Sequence, residues 1–382
     1  MASLVMLAII VGCAVLLYLK GTLTQGITLV FNAILASFVA LTFYEALAVM
    51  LTKYASGMAV WAQMICLLLL FVLTLAALQT IALQIGKEKV DLGLWPERVG
   101  RVVCGVILGY VITGQLFVAL ATAPLPSGYP YARFAERNPD PTRPSKPLLS
   151  PDGFVTGLFG AVSKGSFAPL GTPKSFAVLH ADYLDQIHLN RIRGSRDVSI
   201  WTSTEALSVP SRGGVWEASS ALRDAEGKPL PARPGETLML VRVGIKKSAL
   251  NDAGKFTLSQ LRLVCVPKGS GEHPLAGQGH AVHPIGYVGR GGRLEQKGLT
   301  EIITIQSADV PDNVKEIDFA FYVPTNLAPT LVQFKQNNVA RVSGPVAGED
   351  APEAMSFEGP TPPPGSNNRI PDGNAAPDDE GR

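Results

Sequence analysis

Charge is scarce in this chain, and what there is avoids the first third. Only 17% of the 382 residues are charged, against about 25% in an ordinary soluble domain. Lysine plus arginine nearly balances aspartate plus glutamate, leaving a formal net charge of +2. Such a balance supplies no basic footprint for nucleic acid, and none is expected as a partner. Cysteine is equally sparse. Cys13, Cys66 and Cys104 lie inside apolar runs, where they read as small packing residues. Cys265 stands alone in the remainder, so no intramolecular disulfide is available there. Nucleotide and nucleophile motifs are missing too. There is no Walker lysine loop and no Gly-x-Ser-x-Gly elbow. Gly165-Ser166 lacks a companion glycine, and the turn-rich loop 286–292 has no strand-to-helix context. The chain is therefore expected to be non-enzymatic and to carry no cofactor.

What is present is apolar and front-loaded. Four long apolar runs occupy 3–19, 27–51, 58–85 and 99–121. About 20 such residues cross a bilayer as a helix. Backbone groups in lipid must be satisfied internally, which leaves helices as the assignment, and runs apolar on all sides offer no face to water. The first run is weighed as a signal peptide, with Ile10-Val11-Gly12-Cys13 near a lipoprotein cleavage pattern. No Lys or Arg precedes it, however, and the run continues beyond Cys13. Short connections predict an antiparallel four-helix bundle over 1–123, with the lipid bilayer as its solvent. Lys20, Lys87, Lys89, Arg98 and Arg101 flank one side. Lys53, Arg133 and Arg137 flank the other. That bias places both termini outside. The expected location is the inner (cytoplasmic) membrane, multi-pass, with the C-terminal domain periplasmic or extracellular.

Two features inside the runs carry chemistry. Gly105 and Gly109 are spaced one turn apart, with Gly100 upstream, so another helix can approach closely. That partner is either a neighbour within the bundle or a second copy, giving a homo-oligomer through the last membrane helix. Glu45 is an acid well within an apolar run, a functional hypothesis by default. The alternative is a place near the interface, with Lys53 two turns away as a snorkelling partner.

The run 97–109, with Glu97-Arg98 followed by Gly105 and Gly109, resembles the opening of the last membrane helix in the CvpA (colicin V production protein) family. Lys20-Gly21 to Gly26 is similar to that family's glycine-flanked basic turn, and Phe43-Tyr44-Glu45 to its aromatic end of helix two. One glycine departs: Gly100 sits a place early and Arg101 occupies the expected position. The resemblance covers the first third of the chain. It implies an envelope anchor involved in secretion or envelope homeostasis.

Prolines at 124, 126, 130, 139, 141, 144, 147 and 151 predict a stiff, extended linker over 124–151. Short amphipathic helices are expected across 152–200. Phe154, Val155, Leu158, Phe159 and Val162 mark the first, which rests on the membrane or the next domain. Phe176, Leu179, Tyr183 and Ile187 align one side of a second over 174–193. From 201 to 342 the pattern becomes short strands: 237–246, 256–266 with a bulge at Ser259-Gln260, 285–288, 301–306, 316–323 and 330–334, with Trp216 opening the first. This predicts an all-β, immunoglobulin-like sandwich, an analogy of fold alone. The stretch 343–382, proline-rich and acidic, is expected to be disordered.

Histidines offer two metal candidates. His180, Asp182, Asp185 and His188 share a helical stretch without sharing a face. His273, His280 and His283 lie in a glycine-rich loop without a spaced Cys or acid. A solvated surface is the competing reading for both. Arg191, Arg193 and Arg196 are candidates to meet anionic lipid or cell-envelope polymer, with a solvated helix end as the favoured reading. Three functions follow. The first is an anchor presenting an exported domain to an envelope protein or polymer. The second is a transport or channel component using Glu45. The third is a metal-dependent enzyme using the histidine loop.

Overall fold

A computed structural model describes residues 2–85, 93–164, 175–193, 195, 197–269, 277–310, 312–346 and 350–357. Four helices are long and apolar enough to cross a membrane: α1 (Ala2–Lys20), α2 (Leu23–Tyr54), α3 (Ala62–Ile85) and α4 (Leu94–Thr122). They stand side by side in the order α1, α4, α2, α3. A Cβ built on Gly109 would fall 2.6 Å from Ile10 Cα, and one on Gly105 would strike Ala14. The α4 glycine face is therefore filled by α1, running antiparallel. Asn32 Nδ2 donates to Gln79 Oε1 at 3.2 Å and ties α2 to α3. Leu4, Val11, Leu16 and Leu19 of α1, and Val72, Leu73 and Ile81 of α3, are exposed. Such outward apolar faces suit hydrocarbon rather than water.

The start of α4 also closes the start of α2. Glu97 accepts the Leu23 N–H at 2.9 Å, one of the donors a helix N-terminus leaves unmatched. Arg101 Nη2 holds the same carboxylate at 2.7 Å. Gly100 makes room for Leu23. The pair that matters here is thus Glu97–Arg101, and the arginine in the glycine's expected place is its second member.

Next come α5 (Pro151–Ser163), α6 (Phe176–Leu179) and α7 (Tyr183–Asn190). The single helix expected over 174–193 is broken. Asp182 takes a left-handed φ of 51°, which stops one helix and starts the next. Lys174 and Arg196 lie outside the described residues. Val155 and Phe159 of α5, with Tyr183, Leu184 and Ile187 of α7, join the same core as α2, α3 and α4. The short helices are therefore part of the bundle's packing.

The connector 124–150 corrects the expectation of an extended linker. Prolines bar it from helix and ladder, yet its carbonyls still accept hydrogen bonds and its apolar side chains still bury. Phe134 packs with Leu189 and Ile192. Ser145 N–H donates to the Arg133 carbonyl at 2.8 Å, and Tyr110 Oη donates to the Leu149 carbonyl at 2.6 Å. It is a strap laid over the junction.

The remaining domain is sheet-rich, and its strand pairs are antiparallel. Its strands are β1 (Leu207–Ser208), β2 (Val215–Glu217), β3 (Glu236–Lys246), β4 (Lys255–Thr257), β5 (Leu261–Pro267), β6 (His280–Val282), β7 (Gly286–Val288), β8 (Leu294–Gln296), β9 (Ile302–Thr304), β10 (Val314–Pro324), β11 (Leu327–Phe334) and β12 (Asn338–Arg341), with one helical turn, α8 (Leu250–Ala253). One sheet runs β1-β3-β10-β7-β8 with β2 on β3. A second runs β12-β11-β5-β6, and β4 pairs β9. Alternation on β3 and β10 sends Val241, Val243, Phe319 and Phe321 into the core shared with Leu263 and Phe334 of the second sheet. At 258–260 the expected bulge is a complete break. A 3-10 turn parts β4 from β5, and each joins a different sheet.

The opposite face of β3 and β10 is buried as well. Trp216, Leu240, Ala320 and Leu294 collect Ala351 and Ala354 from the expected tail. Arg242 holds Asp318 through two contacts of 2.8 Å, and both reach the tail: Arg242 Nη2 donates to the Glu353 carbonyl, and Met355 N–H donates to Asp318 Oδ2, each at 2.7 Å. Phe357 enters the main core. Disorder from 343 onward is thus corrected for residues 350–357, whose apolar side chains and backbone groups find partners on the sheet. Residues 358–382 lie outside the described residues.

Candidate functional site at the membrane–domain junction

One cluster of polar groups gathers where α2 and α4 end. Glu45 lies 22 residues beyond Leu23, about 33 Å along the helix. An untilted α2 that enters a hydrocarbon core roughly 30 Å thick at Leu23 would leave it near Glu45. There Glu45 Oε1 accepts from Tyr44 Oη at 2.9 Å and meets His180 Nε2 at 3.2 Å. Tyr44 Oη also lies 2.9 Å from Tyr183 Oη. His180 Nδ1 lies 3.1 Å from Gln186 Oε1, and the ring packs against Phe176 and Tyr183. The partner of Glu45 is therefore a histidine on the α6–α7 turn, while Lys53 is exposed at the next turns of α2.

The end of α4 is held by one cation. Arg191, just past α7 and 3% exposed, donates to the carbonyls of Ala121 at 3.3 Å and Leu125 at 3.2 Å, and to those of Pro126 and Tyr129. Last-turn carbonyls lack helical partners and favour positive charge. Burial, and then the neighbouring Arg193 charge, bring the Arg191 guanidinium down to about 10. Gln336, after β11, adds a 3.3 Å bond to the Thr122 carbonyl. The expectation of a solvated helix end at Arg191 is corrected: the guanidinium is buried and engaged.

Around these contacts sits a shell of further buried polar groups. Arg133 binds Asp185 at 2.5 Å. Burial works against its charge, and Asp185 overrides that, holding the guanidinium above its usual range. Tyr131 donates to Asp152 at the start of α5. Burial and that carboxylate push its phenol up. His188 is buried against Tyr131, and burial with the charges of Arg191 and Arg133 sets its pKa well below 6.5. Arg262 of β5 donates to the Ala181 carbonyl at 2.6 Å and is brought down to about 9 by burial. Gln260 and Gln333 donate to the carbonyls of Asn190 and Leu179. The α6–α7 unit is thus gripped from both sides.

The histidine loop forms no comparable centre. His280 is exposed on β6, and His283 follows at an odd spacing that sends the two to opposite faces of an extended strand. Burial, then the Arg262 charge, takes His283 down to about 4. His273 lies outside the described residues. Among the described residues no three His, Cys, Asp or Glu side chains gather as a metal-binding group. Compared with family models, curated proteins and solved structures, the chain matches none.

Proposed function

We propose that this is a non-enzymatic integral membrane protein whose bundle holds the β-domain in one fixed pose at the bilayer surface. There the domain engages another envelope component, a protein or a polymer. The observation that carries this reading is Arg191. One buried guanidinium collects the end of α4 and three carbonyls of the strap. A domain merely tethered needs no such fastening. The same logic accounts for Glu45 as a latch to His180, at the membrane boundary rather than midway through a conduction path.

The proposal extends to location and family. By sequence, Lys20, Lys87, Lys89, Arg98 and Arg101 flank the side opposite the β-domain, against Lys53, Arg133 and Arg137 on the side that carries it. Positive charge collects on the cytoplasmic side of membrane proteins. The β-domain, an immunoglobulin-like sandwich in this reading, is then exported across the inner membrane. The likeness of 97–109 to the CvpA family supplies the broader role in secretion or envelope homeostasis. A topology reporter fused after Arg382 tests export, and a cytoplasmic signal sinks it. Crosslinking with the full chain as bait tests the partner, expected on the β-domain surface. Crosslinks confined to the bundle would contradict a presenting role.

A further inference from the structure

We propose that the cleft beside α5 holds the headgroup of an anionic phospholipid, with an acyl chain along the adjoining crease of α2, α4 and α5. The cleft encloses about 530 Å³, within the usual span for small-ligand sites of about 300–1,000 Å³. Its charged lining comprises Arg133, Lys146, Lys164, Asp182 and Asp185, with His180. Both carboxylates are already engaged. Asp185 holds Arg133, and Asp182 accepts the Ala281 N–H at 3.2 Å. His180 is shared between Glu45 and Gln186. Lys146 and Lys164 are exposed and have no ion-pair partner among the described residues. The cleft therefore carries three cations against two carboxylates, with Lys146 and Lys164 free of ion pairs among the described residues and Asp182 still charged beside its backbone N–H donor.

Phe154 belongs both to this cleft and to a shallow crease of only about 10 Å³ with no charged group, lined by Ile34, Ser37, Phe38, Val111 and Leu158, so an acyl chain lies along its surface rather than inside it. Phe38 lies 15 residues beyond Leu23, about 22 Å along α2, so this crease sits within the depth of the hydrocarbon. Phe154, Gly157 and Ala161 of α5 are exposed above it. A cationic cleft that passes into an apolar crease near the bilayer boundary matches a phosphate attached to an acyl chain. A free phosphate leaves the crease unexplained, and a neutral lipid leaves the lysines unexplained.

The inference rests on α1–α4 lying in the bilayer, whichever side the β-domain faces. Release of the protein from membranes by alkaline carbonate would remove that premise by itself. With the protein retained, native mass spectrometry of the full chain in detergent, titrated with phosphatidylglycerol or phosphatidylcholine, tests the site. Tighter binding of phosphatidylglycerol is expected. Lys146→Gln/Lys164→Gln should weaken it about 25-fold, since a lysine near anionic lipid contributes roughly fivefold. Phosphatidylcholine binding should not change. Lys228→Gln/Lys247→Gln, which removes the same charge from exposed positions elsewhere on the β-domain, should leave both lipids unaffected. Equal phosphatidylglycerol affinity in the wild type and the Lys146/Lys164 variant overturns the proposal. So does an equal loss in the Lys228/Lys247 variant, or displacement of the lipid by an equal concentration of glycerol 3-phosphate.

Discussion

Arg191→Met removes the fastening at the end of α4 while keeping much of the side chain's apolar volume. Each hydrogen bond from a charged donor contributes about 1.5–3 kcal/mol. Two of the four, at 3.2 and 3.3 Å, belong at the weaker end. Opposing them is the cost of burying the cation. The fall from 12.5 to about 10 corresponds to about 3 kcal/mol. The variant also leaves four carbonyls without their donor. The expected net loss is about 3–5 kcal/mol, the range for stripping one member from a buried charged contact. For a domain of this size that is roughly 6–20 °C in melting temperature. The assay is thermal unfolding of the detergent-solubilised chain, paired with limited trypsin cleavage after the exposed strap residue Arg137, since Arg143 and Lys146 each precede a proline that blocks the protease. Melting should fall and strap cleavage accelerate. Arg191→Lys, with charge but a single donor group, should recover less than half. A melting temperature within about 2 °C of wild type and unchanged cleavage of the strap would refute the fastening.

Gly109→Ile drives a side chain into the α1 backbone and should cost about 1–3 kcal/mol or more, read as loss of folded protein on detergent extraction. Gly12→Ile, which meets open space, should be tolerated. Tyr44→Phe deletes the hydroxyl between Glu45 and Tyr183 and should cost about 1–2 kcal/mol in thermal melts. Glu45→Gln should loosen the junction without altering ion flux, and a changed flux in reconstituted vesicles would revive conduction. Stability should also track pH through two buried bases. Burial brings Lys335 down to about 7 from 10.5, and His283 stands at about 4 against 6.5. In each window the unfolded chain binds the extra proton, so stability rises with pH from about 7 to 10.5 and falls as pH drops from 6.5 to 4. Lys335→Met should flatten the upper limb and His283→Gln the lower, measured by melting temperature across the range.

The membrane helices were legible because twenty apolar residues in a row admit one structure, and only their ends moved. β3 and β10 were legible because each alternates over its length. What escaped was set by distant partners. Leu240 and Ala320 sit on the face that alternation assigns to solvent, and only the returning 350–357 segment covers them. The 174–193 stretch keeps helical spacing, yet Asp182 breaks it to place His180 beneath Glu45. The junction residues carried a weak signal as a crowd of His, Asp and Arg over 180–193. Spacing alone pointed that crowd toward a metal, since nothing local says that Arg191 meets carbonyls some 60 residues earlier.

The pairing of α1 with α4 has a consequence for how the protein is made. Helices α2 and α3 are neighbours in the chain and can associate as soon as both are synthesised. The surface that receives α1, formed by Gly105 and Gly109, emerges 95 to 99 residues after Ile10. Until then α1 waits in the bilayer without its partner. The last membrane helix must wedge between α1 and the α2–α3 hairpin, joining the first-made segment to the rest. Insertion of α4 is thus the step that joins the four long helices, and the packing of α5 and α7 against them and the β-domain come after it.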